Sequence, residues 1–514
     1  MADNPNPAPV APSQGNAPSL DNAPSKGKLL AVLVLIILFS EAGTFEITMV
    51  YPALPDMTRA FQTLHIAWAA SIVTLAGATV MPLVGKAADK WGKKRVILGL
   101  GVVFVLGSVI CAIATSFAVL LVGRALQGCL VGIVTLSYSL VRDIMPRDLV
   151  PVALGTVVTG VGMAAVAGPF LSGWLIDSFG HEGVFWFLAL YAAVLLPVYA
   201  AVVPESPVRV DRPVDVVGTV LLGPGIGVLL LGITQGGTWG WTAGSTLTCL
   251  ILGTAMLAGF TAWERVCSNP LISLDVLLGR RFGPTVLAVA CVAYMMNAHA
   301  LISPTMLMAP GGTPGISYGA GLSATQLALW TFPLGIVGMF MGPLGGFLST
   351  RIGARNVLLV SAGLFLLVMY LGSQLLTVRW QVALLSLTAG CAIGFLHSSN
   401  ANLVQDALPA SQSAVGNSIG GMVTLLSAGI ATALTGVVMS GHVLAVDPKT
   451  HAVLYADSAL THSYGYAALV GAVGAVVVLV MRHGRAPAQG GLVEPEGAVR
   501  LTGDAPLSPT EAVG

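Results

Sequence analysis

"GKAADKWGKKRV", Gly85 to Val96, lies between two long apolar runs. Its twelve residues hold five bases and one acid, in a chain of 514 residues that is 9% charged and 55% hydrophobic. A soluble chain of that length carries about a quarter charged residues. The composition therefore reads as a multispanning membrane protein, and the stretch as a short polar hairpin between two spans. A formal net charge of +1 excludes bulk attraction to nucleic acid.

A membrane span takes roughly 20 mostly apolar residues. Fourteen such runs follow one another, near 29–52, 64–84, 96–115, 117–139, 150–173, 184–203, 214–235, 242–263, 283–303, 326–348, 356–376, 380–402, 413–437 and 463–481. With the N-terminus in the cytoplasm, every one of the 23 basic residues except Arg59, Arg124, Arg379 and Lys449 falls on a cytoplasmic segment. That is the bias the positive-inside rule requires, and a miscounted span would invert it downstream. Residues 1–28, rich in Pro, Ala, Asn and Ser, and residues 482–514 read as disordered cytoplasmic tails. The apolar run after Lys26 and Lys28 continues to Val50 without a small-x-small cleavage site, so it reads as a retained first span and not as a signal peptide. Of the six cysteines, Cys111, Cys129, Cys249, Cys291 and Cys391 lie in apolar runs and Cys267 in a loop, with no CxxC pair. They read as small buried hydrophobes, with neither a disulfide framework nor a metal site.

The hairpin has a second copy. "GFLSTRIGARNV", Gly346 to Val357, aligns with it without a gap. Gly85 matches Gly346, Lys90 matches Arg351, Gly92 matches Gly353, Lys94 matches Arg355, and Asp89 becomes Thr350. Each copy follows the second span of a six-span set, which divides the chain into an N-terminal bundle (29–203), a linker with two extra spans (204–282) and a C-terminal bundle (283–481). Two parallel halves with a site between them are a transporter architecture.

With those residues in view the chain resembles the major facilitator superfamily, in its fourteen-helix drug:proton antiporter branch. The hairpin is similar to motif A. "LVGRALQG", Leu121 to Gly128, resembles motif B of span 4. "AAVAGPFLSG", Ala164 to Gly173, resembles motif C of span 5, with Ala164 and Ser172 where the motif usually has Gly. "EITMVYPALP", Glu46 to Pro55, resembles the branch's span 1 motif, with Glu in place of Asp. The resemblance implies an all-α membrane protein with the major facilitator fold, two six-helix halves plus two inserted helices. It also implies that motif A (Gly85, Asp89, Gly92, Lys93, Arg95) latches the halves together on the cytoplasmic side, with Asp143 as a partner for Arg95. By the same resemblance Arg124 couples proton movement to span 1.

The residues support roles of their own. Topology needs only Lys and Arg, so Asp89 and the glycines of the hairpin have another use: a cap or a charge partner, and a tight reversal. A charge such as Arg124 inside a span is expensive and should face the protein interior or a wet cavity. Glu41 and Glu46 both lie in span 1, Glu41 within about 2 Å of its centre and Glu46 about 8 Å outward. Five residues turn roughly 140° around a helix, so the two need not share a face. Buried carboxyls there can take up and release protons. Gly168-Pro169, with Gly160, Gly162 and Gly173, predicts a kinked packing surface in span 5. Weaker cavity candidates are Asn297, His299, Gln326, His397 and Asn400, with Asn402; for each, an interhelical hydrogen bond is the commoner use. Met295, Met296, Met306 and Met308 could line an adaptable cavity, although lipid-facing filler is the commoner use.

No G-x-x-x-x-G-K-[ST] loop and no HExxH motif occurs, which argues against an ATP-driven pump and against an enzyme. The expected function is proton-coupled export of lipophilic compounds, cationic ones among them, across the cell membrane, driven by the proton gradient with no cofactor. Its partners would be the small-molecule substrate, protons and the bilayer. A proton-coupled uptake symporter is the alternative, and a transporter-like sensor stands further off.

Overall fold

The structure, a computed structural model, describes residues 26–62, 67–209, 215–267, 270, 277, 279–311, 315–322, 324–374, 378–408, 412–446 and 453–488. Most of both expected tails lies outside these residues. Among them, fourteen helical segments are long and apolar enough to cross a membrane. Span 1 is Gly27–Val50, span 2 Trp68–Trp91, span 3 Lys93–Ala112, span 4 Phe117–Ile144, span 5 Val150–Gly168, span 6 Phe170–Val202 and span 7 Val216–Gly237. Span 8 is Gly244–Glu264, span 9 Phe282–Met308, span 10 Leu329–Ile352, span 11 Ala354–Ser373, span 12 Trp380–Ala407, span 13 Ser413–Ser440 and span 14 Asp457–Val480. Each overlaps one of the fourteen apolar runs of the sequence. Span 14 starts earlier than its apolar run because its polar first turn is anchored: the Asp457 carboxylate accepts the Ser317 amide at 2.8 Å. The only strands among the described residues, β1 (Val443–Val446) and β2 (Val453–Tyr455), form an antiparallel ribbon just before it.

Spans 5 and 6 are one helical run, Val150–Val202, broken at Gly180 (φ 69°). The break falls between the apolar runs 150–173 and 184–203, on a glycine that can adopt a positive φ without strain. The hairpin reversal works the same way: Gly92 (φ 104°) and Gly353 (φ 84°) start spans 3 and 11 in the two copies.

Spans 1–6 close around one apolar core, centred on Ile36, Phe104, Leu136 and Phe185. Spans 9–14 close around another, centred on Met295, Leu358, Phe365 and Tyr464. A third cluster lies on the seam between them. It joins Met81 of span 2, Leu222, Ile226 and Leu230 of span 7, and Ile419 and Met422 of span 13. Span 7 seats Gly223 and Gly227 on Thr79 of span 2, where a Cβ at either glycine would collide with the threonine. This is small-xxx-small packing, which lets backbones approach closely. On its other side Leu230 fills the space left by Gly429 of span 13. Span 8 packs on span 7 and turns Ile251 and Leu252 outward. The Asp215 carboxylate caps span 7 at the Gly218 amide (2.9 Å) and accepts the Trp263 indole N–H of span 8 (3.1 Å), which fixes the inserted pair as a unit.

Residues 482–488, expected in a disordered tail, fold back on the second hairpin. The Gly484 carbonyl accepts the Arg355 amide and the Ala488 amide donates to Ser349, both at 3.0 Å. His483 donates from Nε2 to the Leu403 carbonyl at 3.0 Å. Burial is the main reason that its pKa falls below the ordinary histidine value, and Arg281 adds to it.

Candidate functional site

Span 4 is built from two helices, Phe117–Gln127 and Leu130–Ile144, and Arg124 sits in the last turn of the first. Its guanidinium is fully buried and pairs with the Glu46 carboxylate of span 1. The contact is ionic and not a directed hydrogen bond. Arg124 also donates to the Ala69 carbonyl and to Gln127 Oε1, each at 2.7 Å, and its far side lies 5.9 Å from the Phe185 ring. Gln127 in turn donates to Ser108 Oγ at 2.8 Å. The charge is thus neutralised by Glu46 and oriented by neutral acceptors, the arrangement that makes a buried ion tolerable.

Glu41 lies within span 1, where helical backbone hydrogen bonds continue through it (its amide to the Ile37 carbonyl at 3.0 Å, the Phe45 amide to its carbonyl at 2.9 Å), and is 1% exposed. Thr44, one turn on, donates to it, while Oε2 has no hydrogen-bond partner. Among the described residues no cation pairs with it. Span 5 approaches so closely here that a Cβ at Gly160 would occupy the place of the carboxylate. The two glutamates of span 1 therefore differ: Glu46 is committed to Arg124, and Glu41 is buried with an open acceptor.

The rest of this helical run, across spans 5 and 6, divides between two neighbours. Gly168 meets Thr48 and Ser172 Oγ donates to the Met49 carbonyl at 2.7 Å, both on span 1. Gly155 and Gly162 instead meet the backbone of span 10 at Gly342 and Gly335. A Cβ at Gly173 would meet nothing within 4 Å, so Gly173 takes no part in this packing.

At the hairpin end the halves interlock. The Asp89 carboxylate, 4% exposed, accepts the Val415 amide in the first turn of span 13. A helix N-terminus carries unpaired N–H groups and partial positive charge, so an acid is stabilised there. Gly85 lies against Val415 and Ser418; its copy, Gly346, lies against Pro151 and Val152 of span 5. Thr350 takes the place of Asp89 but turns back to its own helix, donating to the Phe347 carbonyl at 2.7 Å. Asp143 does not partner Arg95. Its Oδ2 holds the buried ammonium of Lys93 and the Ser206 hydroxyl, and Lys93 reaches on to Ser413 Oγ of span 13 at 3.0 Å. Arg95 is directed outward and meets Glu205 at 4.0 Å.

The remaining candidates separate from this site. His299 is buried against Tyr464 Oη at 3.4 Å within the second half. Asn297 donates to its own helix at Ala293 (2.8 Å). Gln326 is exposed, His397 and Asn400 are half-buried, and Asn402 donates to Ser398 (2.9 Å) and across to the Pro151 carbonyl (3.4 Å).

Sequence reasoning missed Glu205, whose carboxylate accepts the Lys94 and Arg95 amides (2.9 and 3.2 Å) and caps span 3. It also missed Arg142, buried at the seam, which donates to Gln405 Oε1 of span 12 and to the Leu408 carbonyl just past its end. Both lie just outside the motifs read, at span ends where a charged residue looks like a topology signal.

The chain belongs to the major facilitator superfamily, whose family model matches residues 34–432. An uncharacterized MFS-type transporter of Mycobacterium tuberculosis is 30% identical over 350 residues, covering 67% of this chain and 49% of the relative. The chain thus spans about half the length of that relative. A multidrug resistance protein B homolog of the same species is 28% identical, covering 67% of this chain and 63% of the relative. A uridine/deoxyuridine transporter of Lactococcus lactis is 29% identical, covering 65% and 70%. The crystal structure of the human organic anion transporter MFSD10 superposes with a TM-score of 0.62 at 16% identity, over 89% of this chain and 100% of that one. The family and these relatives are transporters, not enzymes.

Proposed function

We propose that the protein is a proton-coupled exporter of lipophilic, cationic compounds in the cell membrane, with both termini and the two hairpins on the cytoplasmic side. The observation that carries this reading is Glu41: a buried carboxyl in mid-span, with no cation partner among the described residues and one oxygen open. An ionisable residue inside a span marks a substrate or proton pathway. A carboxylate there holds a proton or a cationic substrate but poorly both, and that competition is an exchange cycle. Glu46 and Arg124 next to it form the fixed charge pair that ties span 1 to span 4. The relative named as a multidrug resistance protein supports the substrate class, and the relative named as a uridine/deoxyuridine transporter supports a second reading, proton-coupled transport of a small polar solute.

The test is transport by the purified full-length protein in liposomes under an imposed pH gradient, against a panel of dyes, lipophilic cations and nucleosides. Substrate moving against the proton flux, with collapse on adding a protonophore, is the expected result. Glu41→Gln should still carry substrate downhill while losing the coupled proton flux. A variant that retains normal proton-coupled transport removes Glu41 from the mechanism, and substrate moving with the proton selects the second reading.

A further inference from the structure

The ends of spans 4 and 12 carry a second internal repeat. "SLVRDIMP", Ser139 to Pro146, and "NLVQDALP", Asn402 to Pro409, align without a gap and share Leu, Val, Asp and Pro. Arg142 and Gln405 are therefore the same position in the two halves. In the folded chain these equivalent positions touch: Arg142 Nη1 donates to Gln405 Oε1 at 3.1 Å. Two equivalent points in a twofold arrangement meet only at its axis. The flanking contacts agree. Asn417 of span 13 donates to Ser139 at 2.7 Å, while Asn402, the equivalent of Ser139, reaches the Pro151 carbonyl of span 5 at 3.4 Å. Gly85 against Val415 and Gly346 against Val152 form another related pair.

The axis contact is chemically one-sided. Arg142 is 8% exposed, and its Nη2 donates to the Leu408 carbonyl at 2.9 Å, just past the end of span 12. Helix C-termini leave carbonyls unpaired and carry partial negative charge. Both acceptors thus belong to the opposite half. Two arginines at an axis would repel, and two glutamines would lose the charge-assisted bonds, which are roughly twice as strong as neutral ones. One arginine facing one glutamine gives a strong lock from a single residue.

We propose that Arg142 is a positioning residue for transport. It pins the hairpin-end-closed state on the pseudo-twofold axis through Gln405 and the end of span 12, and does not touch substrate. Opening that end removes both of these acceptors at once. The inference rests on the family's transport activity and not on the direction or substrate proposed above.

The test compares Arg142→Gln, Gln405→Arg and the double swap, as full-length protein in liposomes. Each is read by transport rate, by KM, and by labelling of an added Ser418→Cys with a water-soluble maleimide. Losing charge-assisted bonds shifts the two-state balance on the order of tenfold. Arg142→Gln should label faster at position 418 and lose rate more than KM. The swap should restore both, because Arg at 405 faces the equivalent end of span 4. Arg142→Gln with unchanged rate and labelling, or a folded swap no better than the single variant, overturns the proposal. A second arm guards against misfolding. A disulfide needs Cα atoms within about 7 Å, so Arg142→Cys/Gln405→Cys is bridged with a short, reducible bis-methanethiosulfonate linker. Bridging should stop transport and reduction should restore it, with the chain carrying only its native cysteines as control. Transport that continues while bridged also overturns it.

Discussion

Lys93 and Asp143 form an ion pair that solvent does not reach, with 0% and 1% of the two side chains exposed. The neighbouring pair, Arg95 and Glu205, is 69% and 23% exposed. Removing one member of a buried pair strands a charge and costs about 3–5 kcal/mol, whereas an exposed pair is worth under about 1 kcal/mol. Asp143→Asn is expected to lower the thermal unfolding midpoint in detergent clearly, and Arg95→Ala to leave it nearly unchanged. Equal shifts would contradict the division between the two pairs.

Asp89 and Thr350 hold the same place in the two hairpins, and only Asp89 caps a span of the opposite half. A hydrogen bond to a charged group contributes about 1.5–3 kcal/mol, enough to move a two-state population about tenfold or more. Asp89→Asn should slow transport by that order with membrane orientation unchanged, while Thr350→Ala should be close to silent. Matching losses at both positions would remove the latch and leave the hairpin as a topology signal.

Glu46 and Arg124 are interdependent. Glu46→Gln or Arg124→Gln alone leaves a buried charge without its partner and is expected to destabilise by about 3–5 kcal/mol. The double neutral variant should recover much of that loss, giving a large coupling energy in a double-mutant cycle of unfolding midpoints. Additive losses would show that the two side chains do not depend on one another.

Gly160 and Gly173 make a matched pair of alanine tests in one helical run. A methyl at Gly160 occupies the space of the Glu41 carboxyl, and one at Gly173 meets nothing. Overpacking typically costs about 1–3 kcal/mol. Gly160→Ala is expected to impair coupled transport and Gly173→Ala to leave it intact; normal activity in both variants would mean that Glu41 is free to move aside.

The number of spans was legible because hydropathy over some twenty residues is a strong signal, and the placement of the basic residues checked it independently. The partners of buried charges were not legible in the same way. Arg124 and Glu46 each stood out as ionisable groups inside apolar runs; the motif resemblance tied Arg124 to span 1, yet nothing local names Glu46 as its partner. Lys93 looked like one more cation in a basic hairpin, although its burial makes it the partner of Asp143 and leaves Arg95 outside. Arg142 was readable in principle, through the likeness of "SLVRDIMP" to "NLVQDALP", but its contact with Gln405 follows only once the halves are docked. The turn at Gly180 was legible as the gap between the apolar runs 150–173 and 184–203, where a glycine can take a positive φ.

Span 8 lies at the rim, but span 7 lies across the joint with Gly223 and Gly227 on one half and Leu230 on the other. The two flanks of the protein are therefore unlike, although the halves are related. Where span 5 faces span 10, backbone meets backbone through Gly155 and Gly162. Where span 2 faces span 13, a third party holds both sides. A swing of the halves has to carry this passenger, shedding either its threonine seat or its leucine socket, so the movement is that of a door hung from one jamb.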